Sequence, residues 1–267
     1  MSNSSNSSQI IRIFIQQGDK KMKKIITCLA VAALIATSSF SESSFGVRGS
    51  IGTSFIQLTD SQKSEFGNAA ATGLTSLTNE QSSWKVDNDT ILNGGFSVWA
   101  NYSIPSFPAL GIQPELGFLF NNGTEILVEA ESSGYKYKIS DKVSFSTMEI
   151  PVLLTYTARK GSFLEVIPQA GLYISFPLGK CSQDMDYTIS GNGRYVKGSD
   201  SGEDKIDSKV LFGMLGGTDF AFNFSEKSAF MINLRYMFDF NKIKIDGDET
   251  ARRTIFLMSA GYRYKIN

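Results

Sequence analysis

A chain of 267 residues without a single histidine has few routes to catalysis. Ser/His and Asp/His hydrolytic designs cannot be assembled, and metal centres that depend on imidazole go with them. No glycine-rich loop follows a strand and opens a helix, so no phosphate cradle of the nucleotide-binding kind is indicated. Two acidic clusters, Asp184-Met185-Asp186 and Asp246-Gly247-Asp248-Glu249, offer the oxygen ligands calcium takes. Neither has the spacing of a twelve-residue calcium loop, and a solvated acidic loop is the simpler reading. The expectation is no enzyme, no catalytic residue, no metal and no cofactor.

What does carry chemistry is a set of lone charges, Arg48, Glu115, Glu149, Asp219, Arg235 and Arg263, each set among small or polar neighbours. If they share an interior they must pair, because an unpaired buried charge costs several kcal/mol. They are read as an ion-pair network, the arginines opposite the carboxylates, with Trp99 and Tyr173 as plugs beside them. The functional alternative is a narrow polar path for small solutes.

Those charges sit on strands. Apolar residues recur with period two, the mark of a half-buried strand. From Phe45 to Phe55 the odd positions are Phe, Val, Gly, Ile, Thr and Phe, and the even positions are Gly, Arg, Ser, Gly and Ser. The same alternation returns over 92–104, 110–120, 148–156, 166–176, 212–224, 230–240 and 256–266, which makes eight strands. Short connections (103–109, 158–162, 225–229) alternate with long ones (56–91, 121–147, 177–209, 241–252) rich in Ser, Thr, Asn, Gly and charge. Short turns at one end and long loops at the other are the pattern of an outer-membrane barrel. Parts of the long loops, Glu125–Glu129 and Tyr135–Ile139, read as hairpin extensions above the membrane.

A soluble barrel or sandwich also alternates, with its apolar face inward. Three features favour the membrane. The polar faces carry Gly, Ser, Asn and single charges rather than many Lys and Glu. Aromatic residues gather near strand ends, at Tyr102, Phe120, Tyr156, Phe176, Phe224, Phe240 and Tyr264. The chain also carries a secretory signal. From Met22, two lysines precede an apolar run from Ile25 to Ala36 and then small residues, too short to span a membrane as a helix. Residues 22–41 are read as a signal peptide cut after Ser41, and residues 1–21 as a mis-called start or a long n-region. Cleavage would leave 21 basic and 25 acidic residues of the original 26 of each, a net charge of −4. Nothing in that balance suggests nucleic acid. Only Cys181 would remain, which excludes an internal disulfide. Against the barrel stand Pro114, Pro151 and Pro168 inside strands, where each removes a ladder donor; they are expected at bulges or strand ends.

The fourth and fifth strands contain Met148-Glu149-Ile150-Pro151, the apolar run Val152–Leu154, Tyr156, and then Pro168, Ala170 and Gly171. This stretch resembles the outer-membrane β-barrel domain family of PorT-like and small porin-like proteins, over residues 43–267. The resemblance implies an all-β, eight-stranded antiparallel transmembrane up-and-down barrel with a cleaved N-terminal signal, in the outer membrane. It also implies a terminal strand recognised by the barrel-assembly machinery. Ser259, Gly261, Tyr264 and Ile266 fill that pattern, although Asn267 stands where many such chains stop on Phe. For function three readings stay open. They are a porin-like or structural barrel, a surface adhesin or ligand-binding barrel, and a PorT-like secretion-accessory barrel. The partners implied are outer-membrane lipid, the assembly machinery, and small solutes or host ligands met by loops 56–91 and 177–209.

Overall fold

The structure, a computed structural model, describes residues 43–78, 82–245, 248–249 and 252–266. The signal segment, the residues before it, Asp246, Gly247 and Asn267 lie outside the described residues. In chain order the elements are β1 (Ser43–Ile56), α1 (Asp60–Thr78), β2 (Ser83–Asp89), β3 (Ile91–Ile104), β4 (Phe107–Ser132), β5 (Tyr135–Tyr156) and β6 (Leu164–Gly191). There follow β7 (Arg194–Lys205), β8 (Leu211–Asn223), β9 (Ser228–Asp239), β10 (Lys244–Ile245), β11 (Asp248–Glu249) and β12 (Arg253–Ile266).

Eight of these strands form a closed antiparallel ring: β1, β3, β4, β5, β6, β8, β9 and β12, with β12 returning to pair with β1. The closing ladder runs from Ser43↔Ile266 to Ile56↔Arg253. Closure leaves the ring without a free edge, the condition for crossing a bilayer with strands. The burial pattern is the reverse of a soluble domain. Val47, Phe96, Val98, Val152, Leu154, Leu172 and Met258 are between 47% and 63% exposed, while Arg48, Glu115, Asp219 and Arg235 are at most 6% exposed. An apolar belt of that extent is a surface for lipid, and the polar positions face the lumen.

The two ends differ. At one end the turns are short, as between Ile104 and Phe107. At the other, β4 and β5 run on to a hairpin tip at Ser132–Tyr135, β6 runs on to Gly191, and β7 and β2 join as outer strands. The hairpin extension expected at Glu125–Glu129 and Tyr135–Ile139 is present, and it goes further than expected: residues 121–147 and 177–209, otherwise read as loops, are largely strand, forming a wall β2-β4-β5-β6-β7 above the barrel. A bulge hid this continuity. In β4 the lumen face is odd-numbered up to Leu119, the register shifts between Leu119 and Asn122 with Asn121 at φ 59°, and the buried positions become Asn122, Thr124, Ile126 and Val128. A single extra residue swaps the faces and ends a period-two pattern without ending the strand.

The helix α1 corrects a second expectation, since the loop 56–91 showed no helical period. It begins on a capping box. Gln62 N–H donates to Thr59 Oγ1 at 3.3 Å and Thr59 N–H donates to Gln62 Oε1 at 3.0 Å. Its inner side is made of small residues. Ala70 packs with Leu58, Ile126, Val128 and Ala130, and Trp84 lies across Gly67. A face of alanine and glycine leaves little apolar rhythm to read.

Pro114 and Pro151 are not at bulges or strand ends, while Pro168 lies one residue beyond the end of the β5–β6 ladder at Thr155↔Gln169. The β3–β4 ladder reads Trp99↔Glu115 and resumes at Tyr102↔Ile112, and the β4–β5 ladder reads Pro114↔Val152 and resumes at Gly117↔Glu149, in unchanged register. Pro168 pairs with Thr218 within an unbroken register. Each proline removes one donor; the strands on both sides of Pro114 and Pro151 hold the register regardless, and β8 holds it at Pro168.

Candidate functional site

The lumen is filled in layers. In the middle layer Glu115 is held from two sides. Arg235 donates to both its oxygens, at 2.7 and 2.9 Å, and Arg48 donates to Oε1 at 2.9 Å. The other Arg48 nitrogen reaches Asp219 at 3.2 Å. Gln113 donates to Glu115 at 2.7 Å and Asn233 to Asp219 at 2.6 Å. The arginines come from β1 and β9 and reach carboxylates on β4 and β8, so their bonds cross the bore, whereas Asn233 is the ladder partner of Asp219 and Gln113 shares β4 with Glu115. Two arginines face two carboxylates, and the layer is neutral. Trp99 lies under it, with the Arg48 guanidinium 5.3 Å from its ring centroid.

Towards the wall an apolar layer follows, made of Leu119, Leu153, Leu215, Met237, Ile255 and Leu257 with the Tyr173 ring. Above it Arg253, fully buried, donates to Asp239 at 2.9 Å and to Glu149 at 3.2 Å. Glu149 also accepts from Thr147 at 2.7 Å and Ser175 at 2.9 Å. The Tyr173 hydroxyl donates to Asp239. Towards the short turns, Glu165 accepts from Arg263 at 2.5 Å, from Lys265 at 3.0 Å and from the Gly161 N–H at 2.8 Å.

Of the six expected network residues, Arg48, Glu115, Asp219 and Arg235 come together. Glu149 and Arg263 do not join them. Glu149 is separated by the apolar layer and belongs to Arg253, and Arg263 belongs to Glu165 at the turn end. Their partners lay just beyond the strand limits read from the sequence. Arg253 stood three residues before the expected start at Phe256, and Glu165 one residue before Val166. Continuing the polar parity of each strand up to three residues outward would have found both.

The two plug candidates lie flat against glycines. A Cβ on Gly46 would come within 2.4 Å of the Trp99 ring, and one on Gly213 within 2.7 Å of the Tyr173 ring. Trp99 is 5% exposed and Tyr173 2%. In the terminal strand Ser259 is buried, Gly261 packs its α-carbon against Arg48, and Ile266 is half exposed. Tyr264 tilts against the Phe45 ring at 5.5 Å. Asp184 and Asp186 lie on β6 in the wall, and among the described residues no group of three or more acidic or cysteine side chains is placed to hold a metal.

The wall carries its charges outside. Glu131↔Lys136, Glu129↔Lys138 and Glu125↔Lys142 stand opposite each other on β4 and β5. Lys138 draws the Glu129 carboxyl below its ordinary pKa, and Glu131 raises the Lys136 ammonium. On the inner side burial pushes the Asp141 carboxyl up, against a hydrogen bond from Gln183 at 2.8 Å that favours the charged form.

No protein-family model and no curated protein matches the chain. Among solved structures it is similar to the outer membrane protein OprG from Pseudomonas aeruginosa, at 13% identity over 84% of this chain and 96% of that one, with a TM-score of 0.40. It is similar to Ail, the attachment invasion locus protein of Yersinia pestis, at 13% identity over 84% and 99%, TM-score 0.35. A major outer membrane protein from Thermus thermophilus gives 12% identity over 84% and 99%, TM-score 0.39. The barrel assignment stands on the closed ladder and the inverted burial described above.

Proposed function

We propose that the chain is an integral outer-membrane barrel with a closed lumen, which works through the wall it raises above the membrane. Among the readings left open by the sequence, this favours a structural or ligand-binding barrel over a porin. One observation carries it: the middle layer ties Arg48, Glu115, Asp219 and Arg235 across the bore at 2.7–3.2 Å, and Trp99 and Tyr173 act as plugs beside it. An eight-stranded barrel is just wide enough for such side chains to fill. Single-channel recording of the refolded protein in planar bilayers tests it, with no steady conductance expected. A stable open level would return the porin-like reading.

The ligand-binding reading is supported by the wall. The segments 56–91 and 177–209 fold into α1, β2 and the β6–β7 hairpin, and the β7 strand exposes Tyr195 and Val196. Replacing residues 182–204 by a short turn should abolish binding to host-matrix or small-molecule ligands while leaving the barrel folded. A secretion-accessory role of the PorT-like kind would instead show as a secretion defect in cells lacking the protein. The reading assigns no catalysis.

Export and assembly follow from the same proposal. Cleavage after Ser41 should give a mature start at Glu42, checked by intact mass from outer membranes. Ser259, Gly261, Tyr264 and Ile266 serve as the assembly signal. Without Ser259–Asn267 the chain should be degraded in the periplasm, and a heat-modifiable band of the shortened chain in the outer membrane would overturn that role.

A further inference from the structure

The wall ends on one side in β7, twelve residues long, which among the described residues pairs with β6 alone. Its outer edge therefore carries backbone groups that no described strand takes up. Which groups these are follows from the turn. Asn192 and Gly193, at φ 47° and 75°, make a two-residue hairpin turn of left-handed residues. Such a turn closes on a bond from the Arg194 N–H to the Gly191 C=O, and Gly191↔Arg194 is the first ladder pair. Bonding alternates along an antiparallel strand, so the even residues from Arg194 to Asp204 direct N–H and C=O to β6. The odd residues, from Tyr195 to Lys205, turn theirs outward, and an edge of that kind is a template for another strand.

The side chains on this edge select the strand. β7 is basic at its start, with Arg194 and Lys197, and acidic further on, with Asp200, Glu203 and Asp204. Lys205 follows and is paired with Asp207 at 2.8 Å. Reversed, the strand complements itself. A two-fold axis across an antiparallel pair sets residues of equal parity opposite each other, so each register is defined by the residue at its centre. Centred on Ser199, the pairing puts Arg194 of each copy opposite Asp204 of the other, with Lys197 diagonal to Glu203 and Val196 opposite Gly202. Centred on Gly198, no opposite charges meet directly. Centred on Asp200 or Lys197, two like charges stand face to face, which is unfavourable. Ser199 is an odd residue, so its outward N–H and C=O form the central bonded pair. Tyr195 and Val196, 68% and 52% exposed, lie along the contact.

We propose that β7 pairs antiparallel with β7 of a second copy of this chain carried by an apposed membrane, a contact between like cells. The inference rests on the reading of the wall as the working part of the protein. β6 runs as one strand from Leu164 in the barrel to Gly191 at the tip, and β7 returns from the tip towards the barrel. Reversing one copy places its tip beside the barrel end of the other's β7, and the two barrels at opposite ends of the joined walls. Two copies in one membrane point the same way and cannot pair so. A single twelve-residue edge makes a weak contact, and many copies on facing surfaces add up by multivalency.

Lipid vesicles carrying the refolded protein with its wall outward, followed by light scattering, test it against protein-free vesicles. The protein-bearing vesicles should cluster. Ser199→Cys copies should cross-link into dimers under mild oxidation as they do so, and Cys181 is buried and takes no part. Ser199→Pro loses only an outward N–H, so it should keep the heat-modifiable migration of a folded barrel and abolish clustering. Arg194→Asp and Asp204→Arg, each alone, should weaken clustering roughly tenfold or more, because two like-charged pairs replace two opposite ones. Mixing vesicles of these two variants should restore it, since each supplies the charge the other lacks. Vesicles of the parent protein that never cluster, clustering without the Ser199→Cys cross-link, or no restoration in the mixture would each overturn the proposal. Binding of host-matrix or small-molecule ligands is measured on separate vesicles, so the two readings of the wall fail independently.

Discussion

Arg235 and Lys138 both hold a glutamate, and little else about the two pairs is alike. Arg235 is 6% exposed in its side chain, spans the bore from β9 to β4, and engages both oxygens of Glu115. Lys138 is 59% exposed in its side chain and meets Glu129 on the adjacent strand, outside the wall. In the lumen the pair has displaced water, so neither member can be removed without stranding the other. On the wall water stands ready to replace either partner. The same two kinds of charge thus fill a bore in one region and decorate a surface in the other, and the difference lies in the solvent rather than the bond.

The largest effect should come from Glu115→Ala, which leaves Arg48 and Arg235 buried with their shared partner gone. The expected cost is about 3–5 kcal/mol, read from urea unfolding in micelles. Replacing Glu115 and Arg235 together by Leu and Met should recover most of that loss, because Arg48 stays paired with Asp219 and no uncompensated charge remains. A cost for the single change no larger than that of a surface substitution would mean that water reaches the layer, and the contrast between lumen and wall would collapse.

The next effect belongs to the belt. Met258 is half exposed on the outer face, paired with Ile51 and Leu234 midway along β12. An arginine there should cost roughly 2–4 kcal/mol. Tyr262 lies nearer the turn end, its hydroxyl 2.8 Å from that of Ser228 and its ring against Phe224. An arginine at Tyr262 should therefore cost only about 0–1 kcal/mol, as near an interface. Equal penalties at the two sites would misplace the membrane on the barrel.

How much of this was legible in the sequence depended on parity. Where alternation ran unbroken, as in β1, β9 and β12, the faces and the lumen charges Arg48 and Arg235 could be read directly. Where Asn121 inserts a bulge, the same rule broke, and a continuous strand looked like a loop. Which arginine meets which carboxylate was out of reach, since depth in the bore depends on strand stagger and not on any local pattern. Arg253 and Glu165 were missed because the apolar rhythm stops before the polar face does. The helix α1 had announced its start in Thr59-Asp60-Ser61-Gln62, but its alanine face carried no rhythm to confirm it.

A smaller effect tests the boundary between the regions. Asp141 is in the wall yet 8% exposed, and its Oδ1 has no protein partner. Burial raises its pKa above the ordinary 3.8, Gln183 lowers it, and Asp204 adds to the rise. The folded wall then binds this proton more tightly than the unfolded chain. Stability from this group is therefore greatest at acid pH and is lost as pH rises through the folded value. Hydrogen-exchange protection of the β5–β6 amides, corrected for intrinsic rates, should increase as pH falls through that value towards 3.8. In Asp141→Asn the dependence should vanish.

The smallest effect should be Lys138→Ala. Its partner Glu129 is exposed, faces Lys85 as well across the β2–β4 pairing, and can return to water without penalty. Holding a long lysine chain in one rotamer also opposes the attraction gained, so exposed pairs of this kind contribute little. The unfolding midpoint should be indistinguishable from that of the parent protein at moderate salt. If salt is lowered, screening weakens and any difference should grow, because the Debye length lengthens from about 8 Å at physiological strength to about 30 Å at 0.01 M. Glu115→Ala should show no such salt dependence, since ions do not enter a filled bore. A Lys138→Ala loss as large as that of Glu115→Ala, and equally blind to salt, would mean that the outer face of the wall is covered in the native membrane, and that the ladder of Glu and Lys is an interface rather than a solvated surface.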